Sequence, residues 1–255
     1  MPLQITNGVG KVGVRRSTPV PQIVTSGLTL HLDAGNPLSY PGTGTLWTDL
    51  SGQANNGTLT NGPTFNSSNG GSVVLDGVND YVSTSLTANY QRLTLASWVY
   101  CNPNTSMQTQ EIISKRYYWA YMQTDWPTAL SINAAATSAN FFVSSGYRYD
   151  FTNGNGASVS GVIQPNTWNY IVGVYNGSQV RIYINGVLSQ SVSFSGVVSQ
   201  PNTTWKIGKS SVDWSGGVGL SYLKGRIGSA TIYSRGLSDS EILQNYNALK
   251  GRYGL

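Results

Sequence analysis

Short runs in which apolar and polar residues alternate fill most of this chain, and Gly, Asn, Ser and Pro separate one run from the next. Alternation with a period of two is typical of a strand with one buried face. Asn-Gly pairs at 61–62, 176–177 and 185–186 supply residues that tolerate positive φ in tight hairpins. The pattern predicts an all-β protein, with two antiparallel sheets facing each other over residues 27–255.

One short helix is predicted near the C-terminus, at about residues 238–248. Ser238 is a favourable N-cap, and Glu241 three residues later completes a capping box. The apolar residues that follow recur at helical spacing: Ile242, Leu243, Tyr246 and Leu249. The preceding run, residues 228–234, alternates and is predicted to be a half-buried strand with Ala230 and Ile232 on one face.

Alternation also predicts which side chains are mostly buried. Because a one-residue slip exchanges the two faces of a strand, the burial of this set tests the predicted register. The set is Leu30, Leu32, Val74, Leu95, Trp98, Ile171, Val174, Ile182, Ile184, Ile227 and Ile232.

Composition supports one loop-rich domain rather than several. The 255 residues include 30 Gly, 16 Tyr and 7 Trp, and only 10% are charged, which fits a single β-sandwich. The net charge of +5 is modest and much of it lies near the termini. Specific binding to nucleic acid requires a clustered basic face, so it is not expected.

Residues 1–26 differ from the rest and are predicted to form an extended N-terminal arm. They contain three Pro and a short basic cluster of Lys11, Arg15 and Arg16, with little alternation. The cluster is expected to contact a partner in an assembly. The single cysteine, Cys101, excludes an intrachain disulfide and is expected to be a buried thiol. No signal peptide and no apolar run long enough for membrane insertion is recognisable.

Six stretches in order resemble the laminin-G-like, concanavalin-A-type jelly rolls. Together they extend from about residue 27 to about residue 250. They are residues 27–34 (GLTLHLDA), 47–59 (WTDLSGQANNGTL), 73–82 (VVLDGVNDYV), 93–99 (LTLASWV), 168–189 (WNYIVGVYNGSQVRIYINGVLS) and 223–249, which ends in the predicted helix. The resemblance implies a jelly-roll sandwich, usually a binding or structural module.

Residues for catalysis are scarce, so the chain is not expected to be an enzyme. A glycosidase needs two carboxylates across the scissile bond, but Glu111 and Glu241 are the only glutamates. Glu111 has no acidic neighbour nearer than Asp125, and Glu241 belongs to the predicted capping box. His31 is the only histidine, which excludes a multi-histidine zinc site. It is interpreted as a structural strand residue, and no catalytic residue is assigned.

Two loops have the composition of a calcium site, which many domains of the resembled family carry. Asp49 and Asn55 lie in one loop, and Asp76 and Asp80 in the other. Asp and Asn oxygens are typical calcium ligands. The other interpretation is that these side chains accept hydrogen bonds from the backbone of their own turns.

Aromatic residues are concentrated between residues 115 and 150, where the chain departs most from the family pattern. Aromatic faces bind sugars by stacking, and Arg supplies hydrogen bonds to hydroxyl groups. This segment is predicted to carry the ligand surface, with exposed members of the set Tyr118, Trp119, Trp126, Tyr147 and Arg148.

The function predicted from these features is a non-enzymatic structural protein of a virion, as a capsid decoration or tail protein of a bacteriophage. Its laminin-G-like domain would serve adhesion, with glycans as the candidate ligand, and its arm would bind other virion proteins. It would be made in the host cytoplasm and be present in many copies or as a homo-oligomer. The alternatives are a free-standing carbohydrate-binding lectin and a degenerate glycan hydrolase.

Overall fold

Two antiparallel β-sheets face each other in this computed structural model, and one short helix lies near the C-terminus. The structure describes residues 22–107, 109–117, 125–145, 155–210 and 221–255, without the side chains of residues 117 and 125–127. The predicted fold class is therefore confirmed. No helix in the described ranges is long and apolar enough to cross a membrane.

The strands are numbered in chain order. The first eight are β1 (Leu28–Asp33), β2 (Leu46–Trp47), β3 (Gly57–Thr60), β4 (Thr64–Asn66), β5 (Ser72–Asp76), β6 (Tyr81–Thr84), β7 (Leu93–Cys101) and β8 (Thr109–Tyr117). The others are β9 (Asp125–Asn133), β10 (Ser138–Ser144), β11 (Gly156–Val162), β12 (Trp168–Tyr175), β13 (Gln179–Ile184), β14 (Val187–Ser193), β15 (Lys206–Ile207) and β16 (Lys224–Tyr233). Short 3₁₀ turns cover Ser68–Gly70 and Lys250–Tyr253.

Sheet A has the order β14-β13-β12-β7-β16-β5-β4, and β1 also pairs with β16. Sheet B has the order β11-β10-β9-β8-β15-β6-β3-β2. Strands distant in sequence are thus neighbours in each sheet, as in a jelly roll. The main core lies between the sheets and contains Trp47, Phe141 and Trp205 among many aliphatic side chains.

The helix α1 (Asp239–Leu249) begins where the sequence predicts. The Ser238 side chain accepts a hydrogen bond from the Glu241 backbone, and the Glu241 side chain accepts one from the Ser238 backbone. The predicted capping box is confirmed.

A second core lies on the outer face of sheet A, under α1 and the C-terminal turn. Trp98, Tyr170, Tyr233, Ile242 and Tyr253 are among its buried members. The central strands β7, β12 and β16 are therefore buried on both faces. The prediction of a half-buried strand at residues 228–234 was wrong. Alternation predicts that one face is exposed to solvent, but α1 covers that face.

Nearly all of the predicted core is buried, with two exceptions. Val74 and Ile184 are only half-buried. Val74 lies on β5, next to the three-residue edge strand β4, and Ile184 is the last residue of β13, beside a turn. Neighbouring strands and side chains are fewer at such positions. Cys101 is a buried free thiol, as predicted.

Residues 22–26 lie against the second core. The Val24 backbone N–H donates to Asn245 Oδ1 at 2.7 Å, and Tyr233 Oη donates to the Val24 carbonyl at 3.0 Å. Lys11, Arg15 and Arg16 lie outside the described residues, so the arm and its boundary stay predictions.

Candidate functional site

The side chains predicted to bind a ligand, within residues 115–150, lie outside what the structure describes. This applies to Tyr118, Trp119, Tyr147 and Arg148, and to the side chain of Trp126 on β9. The aromatic platform over residues 115–150 therefore stays a prediction.

The Asp49 carboxylate, one of the predicted calcium ligands, is occupied by protein donors. It accepts hydrogen bonds from the backbone N–H groups of His31, Ser51 and Asn55 at 2.8–2.9 Å, and from Ser51 Oγ at 2.7 Å. The Asn55 amide donates to the Thr29 carbonyl at 2.8 Å. This loop is thus tied to β1 through its own polar side chains.

The second predicted loop joins β5 to β6 in a similar way. Asp76 Oδ1 accepts hydrogen bonds from the backbone N–H groups of Val78, Asn79 and Asp80, at 2.8–3.3 Å. Burial acts to raise the pKa of Asp76, but these bonds outweigh it, so that the pKa is lowered. In Asp80, which accepts from the Asp76 backbone, burial raises the pKa.

These hydrogen bonds fit turn-stabilising carboxylates better than a calcium site, which takes six to eight oxygens. Across the described residues, no three His, Cys, Asp or Glu side chains are grouped so as to hold a metal ion. Calcium binding by these loops stays a prediction that a titration can test.

On the outer face of sheet B, Glu111 of β8 is fully buried and forms an ion pair with Arg116 at 2.8 Å. Burial raises the pKa of Glu111, and the Arg116 charge partly offsets this. The Arg116 guanidinium also lies 4.5 Å from the centre of the Phe142 ring. The charged partner that the structure gives Glu111 is a cation, whereas glycosidases pair two carboxylates.

A cationic and aromatic surface lies on the outer face of sheet A. Arg226 of β16 is opposite Tyr100 of β7, which is opposite Trp168 of β12. Three adjacent strands thus place these side chains in one row across the sheet. The guanidinium carbon of Arg226 is 3.9 Å from the Tyr100 ring centre and 5.5 Å from that of Trp168, so the cation is stacked on aromatic faces.

Stacked rings beneath this row hold it in place. Trp168 packs edge-on against Tyr100, with 5.7 Å between ring centres, and contacts Tyr253 at 4.5 Å. Tyr253 in turn stacks on Trp98 at 4.4 Å. The row is therefore continuous with the second core, and rigid aromatic side chains lose little conformational entropy when a ligand binds.

Two amides border the row at the end of the same strands. Asn102 Nδ2 donates to Asn166 Oδ1 at 2.8 Å, and both side chains are at least partly exposed. Tyr100 and Arg226 are also partly exposed. We call this surface the Arg226 platform: Tyr100, Asn102, Asn166, Trp168 and Arg226.

The N–H groups of the Arg226 guanidinium have no hydrogen-bond acceptor among the described residues. Its contacts are with rings, and within the described residues no hydrogen bond or ion pair to it is formed. A guanidinium has five N–H donors in a planar fork that suits carboxylate and hydroxyl oxygens. The platform can therefore offer hydrogen-bond donors beside aromatic and amide groups, the usual chemistry of sugar recognition.

Sequence reasoning missed this platform, although the sequence contains a signal for it. Trp98 and Tyr100 are two residues apart, as are Trp168 and Tyr170, so each pair shares one face of its strand. Each pair indicates that one face of its strand is aromatic. The position of Arg226 opposite Tyr100 depends on the register of β16, which the sequence alone leaves open.

The sequence profile of a family described as the concanavalin A-like lectin/glucanases superfamily, within the laminin-G-like group, matches residues 76–243. The chain belongs to this family. The matched part runs from the end of β5 into α1 and includes all five residues of the Arg226 platform. No curated protein sequence matches the chain.

Solved structures with the same fold include receptor-binding proteins and a sialidase. The binding domain of botulinum neurotoxin DC in complex with SialylT is 14% identical, with a TM-score of 0.64, and the match covers 88% of this chain and 52% of that one. The same domain in complex with rat synaptotagmin II gives 14%, 0.65, 89% and 52%. Trypanosoma rangeli sialidase in complex with sialic acid gives 16%, 0.61, 89% and 33%.

This chain thus spans about half the length of the neurotoxin binding domains and a third of the sialidase. Similarity at these identities shows a shared lectin-like jelly-roll fold.

Proposed function

We propose that this chain is a non-enzymatic adhesion protein of a virus particle, whose lectin-like jelly roll binds a glycan at the Arg226 platform. The observation that carries the glycan part is the stacked Arg226 guanidinium, partly exposed and without a hydrogen-bond partner among the described residues. Guanidinium N–H donors without an acceptor, next to aromatic rings and a pair of amides, suit a ligand rich in hydroxyl or carboxylate oxygens.

Two of the solved structures with this fold are named as complexes with SialylT and with sialic acid. They support a sugar as the class of ligand and suggest that a carboxylate-bearing sugar be tested beside neutral ones. Stacking on one aromatic ring contributes only about 0.5–1.5 kcal/mol beyond area burial. One platform would therefore bind weakly, and many copies acting together would provide useful avidity.

The virion part of the proposal is supported by the sequence features of the arm. A Pro-containing basic segment with Lys11, Arg15 and Arg16 next to one compact binding domain suits anchoring to other virion proteins. The protein would be displayed on the particle surface, and its role there would be binding rather than catalysis. A free-standing lectin would share the platform but would not need the arm.

A glycan array containing neutral and sialylated glycans tests the platform. The test variant is Arg226→Ala, and Arg92→Ala is the matched control because Arg92 is an exposed arginine outside the platform. A hydrogen bond to a charged group contributes about 1.5–3 kcal/mol, so Arg226→Ala should weaken binding about 10- to 150-fold. The control should bind like the unaltered chain.

Equal binding by Arg226→Ala and the control would refute the platform. If binding is then lost on replacing Trp119 and Trp126 together by Ala, the predicted aromatic segment carries the site instead. The arm is tested separately, by expressing a chain without residues 1–21 during particle assembly. Failure of this chain to join particles, with glycan binding retained, supports the virion role; normal incorporation contradicts it.

A further inference from the structure

Arg226 is a fixed cation without a counter-charge. Four other arginines in the described part of the chain form ion pairs with Asp or Glu at 2.5–2.9 Å: Arg116, Arg181, Arg235 and Arg252. Arg226 forms no such pair within the described residues. Its guanidinium is stacked on Tyr100 and lies near Trp168 instead. The position of this charge is therefore set by aromatic rings, and its N–H groups are left for an anion.

Lys224 adds a second cation beside it. It lies two residues before Arg226 on β16, about 6.6 Å away along the strand axis. Because alternate residues of a strand share one face, both side chains belong to the outer face of sheet A. Lys224 is exposed, and its ammonium group forms no hydrogen bond or ion pair within the described residues. Two positive charges without a counter-ion thus lie side by side.

The strands on either side of β16 place polar groups next to Lys224. Asp76 of β5 is directly opposite Lys224 in the pairing of the two strands. On the other side, the Asn102 backbone N–H donates to the Lys224 carbonyl at 3.1 Å. A polar row therefore runs from Asp76 through Lys224 to the hydrogen-bonded Asn102 and Asn166 side chains. This row is parallel to the row of rings around Arg226, so an oxygen-rich ligand can contact both.

Among the described residues, Asp76 is the acidic side chain that strand pairing brings next to the two cations. Its Oδ1 accepts three backbone N–H groups of its own turn, and it forms no ion pair with Lys224 in the described part. Asp76 lies on the β5 side of β16, whereas Tyr100 and Asn102 lie on the β7 side. Asp76 should therefore repel an anionic group from the β5 side and favour its binding on the side of the rings and amides.

We propose that the glycan bound at the Arg226 platform carries a carboxylate, which Arg226 and Lys224 bind together. This inference rests on the proposed function of the platform. A planar guanidinium matches the two oxygens of a carboxylate and can donate two parallel hydrogen bonds to it. The amides of Asn102 and Asn166 can bind hydroxyl groups of the same sugar. A sialic acid or a hexuronic acid combines one carboxylate with a hydroxylated ring, whereas a neutral sugar would leave both cations without a counter-ion.

Matched pairs of ligands test the charge directly. The probes are sialyllactose and a glucuronic acid oligosaccharide, each immobilised at equal density beside its carboxyl methyl ester, with lactose as the neutral parent. The unaltered chain should bind each acid about tenfold or more tightly than its ester, because hydrogen bonds to a charged acceptor are about twice as strong as neutral ones. Raising the salt concentration should weaken binding of the acids more than binding of the esters.

Three variants locate the charge effect on the protein. Lys224→Gln and Arg226→Gln keep a polar side chain but remove one positive charge, so each should reduce the preference for acid over ester about five- to tenfold. Asp76→Asn keeps an oxygen for the turn and removes the negative charge, so it should increase that preference. Arg92→Gln is the control, because Arg92 is exposed and precedes the opposite end of β7 from Tyr100; it should leave the preference unchanged. Thermal unfolding checks that each variant is folded.

Equal binding of acids and esters by the unaltered chain would overturn this inference. If Arg226→Ala still weakened both, the platform itself would stand as a site for neutral glycans. If Arg226→Ala weakened neither, the platform would be refuted and the carboxylate site with it. A preference for acids that Lys224→Gln leaves intact would remove Lys224 from the site. Equally tight binding of a sulfated oligosaccharide without carboxylates would show that any anion serves, which also contradicts a carboxylate site.

Discussion

Replacing Asn245 by Ala should destabilise the protein strongly, although Asn245 is a polar residue on a surface helix. Its side chain is 2% exposed and joins three parts of the fold. Oδ1 accepts from the Val24 N–H at 2.7 Å, and Nδ2 donates to Tyr233 Oη at 3.0 Å. Tyr233 closes the triangle by donating to the Val24 carbonyl at 3.0 Å.

The expected cost follows from these contacts. Loss of the bond to Tyr233 removes about 1 kcal/mol, and a buried Val24 N–H left without a partner costs about 1–3 kcal/mol. Asn245→Ala should therefore lower the free energy of unfolding by about 2–4 kcal/mol. Tyr233→Phe should cost about 1–2 kcal/mol, and the double variant should cost less than the sum, because both changes remove the same Asn245–Tyr233 bond.

Urea unfolding followed by tryptophan fluorescence measures these differences. Asn247→Ala is the control, because it makes the same change two residues later in α1, at a side chain that forms no hydrogen bond within the described residues. Its free energy of unfolding should stay within about 0.5 kcal/mol of that of the unaltered chain. A chain beginning at residue 22 keeps Val24, whereas one beginning at residue 27 lacks it. Asn245→Ala should add little to the shorter chain.

If Asn245→Ala were no more destabilising than Asn247→Ala, the triangle would contribute nothing. If the two truncated chains were equally stable, residues 22–26 would belong with the arm rather than with the second core.

Two further predictions concern carboxylates. The Arg235 hydrogen bonds lower the pKa of Glu241 to about 2 from 4.5. The stability that the ionised Glu241 contributes is therefore complete above about pH 4.5 and is lost as the pH falls toward 2. The difference in Tm between the unaltered chain and Glu241→Gln should shrink over that window, and a pH-independent difference would contradict this. Asp49→Ala should lower the free energy of unfolding by about 2–4 kcal/mol, because the backbone N–H groups that donate to Asp49 would lose their partner. EDTA should leave the Tm of the unaltered chain unchanged. A calcium-dependent rise in Tm that Asp49→Ala abolishes would instead confirm the calcium prediction.

Local sequence determined the elements of this protein. Alternation placed Leu30, Leu95 and Ile232 in the core, because strand geometry alone sends successive side chains to opposite faces. The Ser238–Glu241 capping box determined where the helix begins, since the groups that satisfy its first N–H donors lie within one turn. The ordered family motifs gave the jelly-roll fold as a whole.

Only the tertiary structure decided which faces are covered and which side chains meet. Tyr233 is buried because a helix that follows it folds back over sheet A, and no pattern within β16 encodes that cover. In the main core, a Cβ at Gly173 would overlap the Phe141 ring, so the need for glycine there depends on packing between two sheets. Arg226 meets Tyr100 because β16 pairs with β7, although the two residues are more than a hundred positions apart in the chain. Local periodicity carries no information on such long-range pairings, which depend on how the whole chain closes.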